Sequence, residues 1–138
     1  MEEKNILEIQ KATKIYNIGT SFFAGKNELV ALNQFNLKIP ESPASITTIA
    51  GESGSGKTTI ANLILGFTEL TSGKILFGGK DINMMSKEEI FNYRRNIQAV
   101  FQDPFGVYNP FYRISHIFEI VIKHFKITSN KNDARELI

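Results

Sequence analysis

Residues 51–59 read "GESGSGKTT", and Gly51, Gly56, Lys57 and Thr58 meet the spacing G-x-x-x-x-G-K-[ST]. Just before them, "SITTIA" at 45–50 is dominated by β-branched residues and reads as a strand. Just after them, Ile60, Leu63, Ile64 and Phe67 fall at i, i+3, i+4 and i+7. That spacing predicts one buried stripe on a helix that starts near Lys57 and that Gly66 helps to end. Strand, glycine-rich loop and helix in this order are the setting in which the match marks a P-loop. Glycine at 51, 54 and 56 lets the backbone curl without Cβ clashes, so successive N–H groups face inward toward phosphate oxygens. The helix N-terminus adds its partial positive charge. Lys57 is the residue to reach the β- and γ-phosphates, and the Thr58 hydroxyl suits a Mg2+ bridging them. With Ser53, Ser55 and Thr59 these residues form the expected nucleotide-binding set. The bland reading is a glycine-rich turn that merely caps a helix. Chance would produce the pattern in roughly one chain of this length in a few hundred, so nucleotide binding is the stronger reading.

At 138 residues the chain is long enough for one domain, which can bury roughly 68% of its unfolded surface, and too short for two. With 42% apolar and 22% charged residues it has the composition of a soluble globular protein. Lys and Arg outnumber Asp and Glu by 16 to 14, and a net charge of +2 creates no field that would draw a nucleic acid, so none is expected. There is no cysteine, which excludes disulfides and thiolate metal sites. No apolar run approaches the roughly 20 residues of a membrane span. "MEEKNILEIQ" at 1–10 lacks the basic-then-apolar layout of a signal peptide, so the chain is expected to stay inside the cell.

Short apolar alternation at "ILEIQ" (6–10) and "FNLKI" (35–39) predicts half-buried strands that frame a surface loop, "NIGTSFFAGKN" at 17–27. "TSGKILFGGKDI" at 71–82 predicts an antiparallel hairpin that turns at Gly78-Gly79. Ser86, with Glu89 three residues on, predicts a capping box and a helix continued by Ile90 and Tyr93, and the charges at 87–89 read as its solvated face. "IQAVF" at 97–101 reads as a further strand ended by Asp103-Pro104. "SHIFEIVIKHF" at 115–125 reads as a helix, and Asn132 or Asp133 as the start of another. His116 and His124 are eight residues apart, too far for the i, i+4 pairing that chelates a metal, and read as surface or interface residues.

The P-loop, "KIYNIG" at 14–19, the hairpin at 71–82 and "VFQDPFGVYNP" at 100–110 together resemble the nucleotide-binding subunit of ABC transporters. The wording "FQDPFGVYNP" is most similar to the ATPases of dipeptide and oligopeptide importers. The likeness runs from about Ile6 to Ile138. It implies an α/β fold: the P-loop NTPase core of an incomplete ABC nucleotide-binding domain, an antiparallel β subdomain, and the start of the helical subdomain at about 113–138. It implies one partial domain over 1–138 with its P-loop at 51–59 and a Q-loop region at 100–112. It also implies ATP and Mg2+ as cofactors and residence on the cytoplasmic face of the cell membrane. The partners it implies are transmembrane permease subunits, met through the region from Phe101 to Tyr112, and a second ABC ATPase subunit, identical or not. Tyr16 falls where the family stacks an aromatic on adenine, against the plainer reading of an aromatic at a strand end. Gln102 falls at the Q-loop glutamine that senses Mg2+ and the attacking water, which makes Lys57 and Gln102 the expected catalytic pair. Phe105, Tyr108 and Phe111 are read as permease contacts rather than core aromatics.

The sequence also departs from the family. No LSGGQ signature, no apolar strand ending in Asp-Glu and no His beyond it occurs. Without that carboxylate to orient water, the 138 residues are expected to bind nucleotide and hydrolyse it poorly, and to leave open strand edges and uncovered apolar faces. "PESPASITTIA" replaces the usual Gly-Glu turn, and Phe111 stands where a basic residue often follows Asn-Pro. A non-hydrolysing nucleotide- or permease-binding remnant is therefore the competing reading. A P-loop kinase or GTPase is the third, which a preference for GTP over ATP would mark.

Overall fold

Leu7, Ile9 and Ala12 are buried along one strand, and the change from an interval of two to an interval of three marks where that strand changes stride. This strand, β1 (Asn5–Asn17), pairs antiparallel with β2 (Glu28–Pro40) on one side and β3 (Ser72–Phe77) on the other. With β4 (Lys80–Asp81) they make a four-stranded sheet in the order β2-β1-β3-β4. The computed structural model describes residues 4–19, 27–101, 103, 109, 111–128 and 130–137, and the chain divides into the units Met1–Ile97 and Gln98–Ile138.

Within the first unit both long strands run well past the short alternating stretches that predict them, because each contains a residue of positive φ, Lys11 and Gln34, both at 47°. Such a bulge leaves ladder groups unpaired, and side chains take over. The Lys11 N–H donates to Asn36 Oδ1 at 2.9 Å and the Gln34 N–H to Thr13 Oγ1 at 3.1 Å. Opposite the β1 bulge stands Gly73, with φ +97°, where a Cβ would lie 2.4 Å from the Lys11 carbonyl oxygen. Only glycine fits this crossing.

Helix α1 (Lys57–Ile64) lays Ile60 and Leu63 into a core with Leu7, Ile9, Ala12, Leu32 and Ile75. Burying such side chains stabilises the fold by about 1.5–3 kcal/mol each. Gly66 closes the helix as expected: at φ +72° it donates to the Leu63 carbonyl, while the Phe67 N–H reaches back to Asn62 at 2.8 Å, the paired bonds of a Schellman motif. That left-handed turn redirects the chain and leaves Phe67 66% exposed. The predicted stripe therefore ends at Ile64. The hairpin forms as predicted, Phe77 facing Lys80 across a turn in which Gly78 and Gly79 both have positive φ.

Helix α2 (Lys87–Asn96) starts on the predicted capping box, with the Glu89 N–H donating to Ser86 Oγ and the Ser86 N–H to Glu89 Oε2 at 2.8 Å. Tyr93 of this helix is buried, meets Phe77 edge-on at 5.1 Å, and donates its hydroxyl to the Ile64 carbonyl. It thereby satisfies one of the carbonyls that the last turn of α1 leaves without a helical partner. Burial pushes the Tyr93 phenol up to about 12.

Two predicted strands do not form ladders. Neither 45–50 nor 97–101 is a strand, and Ile46 and Val100 are 97% and 102% exposed. A strand exists by exchanging its N–H and C=O groups with a neighbour, and among the described residues no strand lies beside either segment. In the second unit α3 (Ser115–His124) follows the prediction, with Ile122 buried. Helix α4 (Lys131–Glu136) starts earlier than predicted, because Asn130 serves as its cap and accepts from the Asn132 N–H at 3.0 Å.

Glu89 yields a test of the α2 start. The Lys80 ammonium 2.6 Å away, then the Ser86 hydrogen bonds, hold its carboxyl well below the usual range, at about 2. A depressed folded value means that ionisation favours the folded chain above the unfolded value of roughly 4.3, and that this stabilisation is lost as pH falls through about 2. Glu89→Gln keeps an acceptor for the cap and removes the charge. The denaturant midpoints of wild type and variant should differ at about pH 6 and converge as pH falls toward about 2.5; a gap that does not change with pH contradicts the assignment.

Candidate functional site

The loop 51–56 enters α1 through two glycines of positive φ, Gly54 at +81° and Gly56 at +92°. A Cβ at Gly51 would stand 2.6 Å from Ser55 Oγ, and one at Gly56 would stand 2.5 Å from the Ala31 carbonyl oxygen. Glycine is thus demanded by backbone conformation at 54 and by both conformation and space at 56, whereas at 51 the Ser55 hydroxyl can turn aside. The close approach at Gly56 occurs where β2 itself is irregular. Ala31 is the extra residue between the ladder pairs Lys14↔Leu32 and Ile15↔Val30, a bulge that locally disrupts the ladder on which the loop rests.

Helix α1 has no side-chain cap and no acidic residue in its first turn. Its leading N–H groups thus meet no carboxylate from the helix itself, the arrangement that suits an anionic ligand. Lys57 is half-buried, and its Nζ donates to the Gly51 and Glu52 carbonyls at 2.8 and 2.6 Å and to Ser55 Oγ at 3.4 Å. The ammonium therefore arches back over the loop that precedes it. Ser53, Ser55 and Thr58 are exposed and Thr59 is half-buried. The Thr58 hydroxyl, on the exposed side of the first helical turn, is a hard oxygen donor of the kind that joins phosphate oxygens around Mg2+. Among the described residues no cluster of three His, Cys, Asp or Glu could hold a metal by itself.

Tyr16 lies on β1 opposite Leu29, one ladder pair from Ile15↔Val30 and so near the Ala31 bulge on which Gly56 rests. Its ring is half-buried, with Lys14 Nζ 4.9 Å from the centroid. Gln102, Phe105 and Tyr108 lie outside the described residues. In the second unit Phe111 is exposed, and Tyr112 stacks on His116 with ring centroids 4.5 Å apart and planes at 13°. His124 is exposed and meets Phe125 edge-on at 5.2 Å.

The expectation that the sequence lacks the Asn-Lys-x-Asp of guanine readers is wrong, since Asn130-Lys131-Asn132-Asp133 spells it. The structure gives Asn130 and Asp133 another task. Asn130 Nδ2 donates to Asp133 Oδ1 at 2.9 Å and Asn130 Oδ1 accepts from the Asn132 N–H. Both side chains are engaged in capping α4. A four-residue match is short, and its local hydrogen bonds mark a helix start.

The family pattern described as ABC transporter matches residues 32–136. The chain is 34% identical over 130 residues to the "Oligopeptide transport ATP-binding protein OppF" of Streptococcus pyogenes serotype M1. It is 32% identical over 132 residues to the protein of the same description from Lactococcus lactis subsp. lactis. These alignments cover 94% of this chain and 42% and 41% of the relatives, so the chain spans under half their length. Among solved structures, the fold matches the dimeric post-hydrolysis ATP-binding cassette MJ0796 bound to ADP and Pi, with a TM-score of 0.65 and 23% identity over 94% of this chain and 53% of that one. It also matches cbiO1 from Clostridium perfringens, part of the ABC transporter complex cbiONQ, with a TM-score of 0.62 and 26% identity over 97% and 47%.

The differing demands at the loop glycines are separable by mutation. Gly54→Ala meets open space and carries only the cost of a positive φ, about 1 kcal/mol. Gly56→Ala adds a Cβ against the Ala31 carbonyl and should cost about 1–3 kcal/mol more in urea unfolding. Equal costs at the two positions would show that the loop does not rest on β2.

Proposed function

The chain belongs to the ABC transporter family, and from that premise we propose that it binds ATP with Mg2+ at residues 51–59. We further propose that, within a protein of the length its relatives have, it forms part of the ATPase that powers import of peptides or similar solutes. The observation that carries the reading is the uncapped N-terminus of α1, preceded by glycines that hold their backbone in left-handed turns and followed by Lys57 at its first position.

Each residue has a physical task in this reading. The backbone N–H groups from Gly54 to Thr59 bind phosphate oxygens, and the helix end adds its positive charge. Lys57 exchanges its bonds to the Gly51 and Glu52 carbonyls for the β- and γ-phosphates, a charge-assisted replacement. Thr58 supplies an oxygen for Mg2+, which neutralises charge on the phosphates when bound. Tyr16 stacks on the adenine, and Gln102 is assigned to Mg2+ and the attacking water. The region from Phe101 to Tyr112 is assigned to a transmembrane permease and a second ATPase subunit to the dimer. Support for the assembly comes from the relatives' descriptions as oligopeptide transport proteins and from the likeness to cbiO1, described as part of an ABC transporter complex. Among the described residues no helix is long and apolar enough to cross a membrane.

In a second reading the phosphate grip at 51–59 holds ATP without efficient turnover. Both readings require Lys57. Titration of the 138-residue chain with ATP and Mg2+ should show binding that Lys57→Ala weakens by at least about tenfold, since a lost charge-assisted contact is worth roughly 1.5–3 kcal/mol. Matched thermal melts would confirm the fold. Unchanged affinity in the variant would overturn the assignment of the loop. Single-turnover hydrolysis by the wild-type chain, lost in Lys57→Ala, would remove the reading without turnover.

A further inference from the structure

We propose that Lys14 is a positioning residue for the nucleotide base, acting through Tyr16; the proposal rests on the reading above that Tyr16 stacks on that base. Lys14 and Tyr16 are two residues apart on β1, and the Lys14 ammonium lies 4.9 Å from the centre of the Tyr16 ring. The same ammonium donates to the Glu69 carbonyl at 2.7 Å, a contact between residues 55 positions apart in the chain. A half-buried lysine loses hydration and needs acceptors, and here a carbonyl and an aromatic face supply them.

The neighbouring bonds show that this is a seam and not a lone contact. The Ile15 N–H donates to Thr71 Oγ1 at 3.0 Å, and the Thr71 N–H donates to the Thr13 carbonyl at 2.9 Å. Residues 13–15 are thereby stitched to 69–71, the connection that leads from the end of α1 into β3. Lys14 thus ties the ring that takes the base to the connection that follows α1, the helix that begins at the phosphate loop. Its cation sits over one face of the ring, and in this proposal the base takes the other. A cation on one face also draws π density toward itself, which lowers the repulsion met by an electron-rich purine on the opposite face.

The test compares two ligands on the 138-residue chain: ATP, and inorganic tripolyphosphate, which has the phosphates without the base. Lys14→Met removes the cation and keeps an apolar stem, and should raise the Kd for ATP about threefold to tenfold while leaving the Kd for tripolyphosphate unchanged. Lys14→Arg keeps the cation and should restore ATP binding. Equal losses for both ligands would reduce Lys14 to a structural role, and an unchanged Kd for ATP would overturn the proposal outright. Tyr16→Ala separates the two layers of inference. If it leaves ATP binding intact, the stacking assignment fails, and the Lys14 proposal with it. If it weakens ATP binding while Lys14→Met does not, the stacking stands and the Lys14 proposal alone falls. In the Tyr16→Ala background, a Lys14→Met effect that persists would likewise overturn it.

Discussion

The approach of Gly56 to the Ala31 carbonyl fixes the relation between the phosphate loop and the sheet. A methyl group at Gly56 would stand 2.5 Å from that oxygen, so the loop seats only while position 56 lacks a side chain. Everything the loop does follows from this seating. It sets where α1 starts and brings Ile60 and Leu63 down onto Leu32 and the β1 core. It also leaves the first N–H groups of the helix uncapped. The bulge at Ala31 is part of the same device, because the extra residue in β2 interrupts the regular ladder where the loop comes to rest.

The sheet is built to tolerate such irregularity. β1 has a neighbour on each side, so a break in one ladder is bridged by the other. Where the bulges at Lys11 and Gln34 remove ladder bonds, Asn36 and Thr13 replace them with side-chain acceptors. Gly73 removes the Cβ that would otherwise collide with the β1 bulge. The bulges at Lys11 and Gln34 thus have named compensations, the pattern expected where a fold positions backbone for a ligand.

This arrangement explains what could be read from sequence. The loop, the helix behind it, the Gly78-Gly79 hairpin and the Ser86 capping box were all legible, because each is decided by residues within a few positions of one another. The full lengths of β1 and β2 were not. Alternation reads Leu7 and Ile9, then breaks at Lys11, where the chain takes an extra step before Ala12 is buried. Period-two reading stops at such a step although the strand continues. The segments at 45–50 and 97–101 have the β-branched composition of strands, yet composition supplies no partner, and pairing is what makes a strand. Phe67 had the helical spacing and lost its place to the Gly66 turn. The relation of Lys14 to Glu69 spans 55 positions and leaves no local signal at all.

Helix α1 carries two obligations that could conflict. Its apolar face anchors the core, while its N-terminus must keep donors available to an anion. The conflict is avoided because the demands fall on different directions of one short helix: Ile60 and Leu63 face the sheet, while the donors point along the axis. The C-terminal end is then free to be satisfied conventionally, and it is, by the Gly66 turn and by the Tyr93 hydroxyl on the Ile64 carbonyl. A helix so asymmetrically satisfied keeps its dipole directed at the loop. The hydrophobic contact that stabilises the fold and the electrostatic field that suits phosphate are thus produced by the same eight residues, Lys57–Ile64.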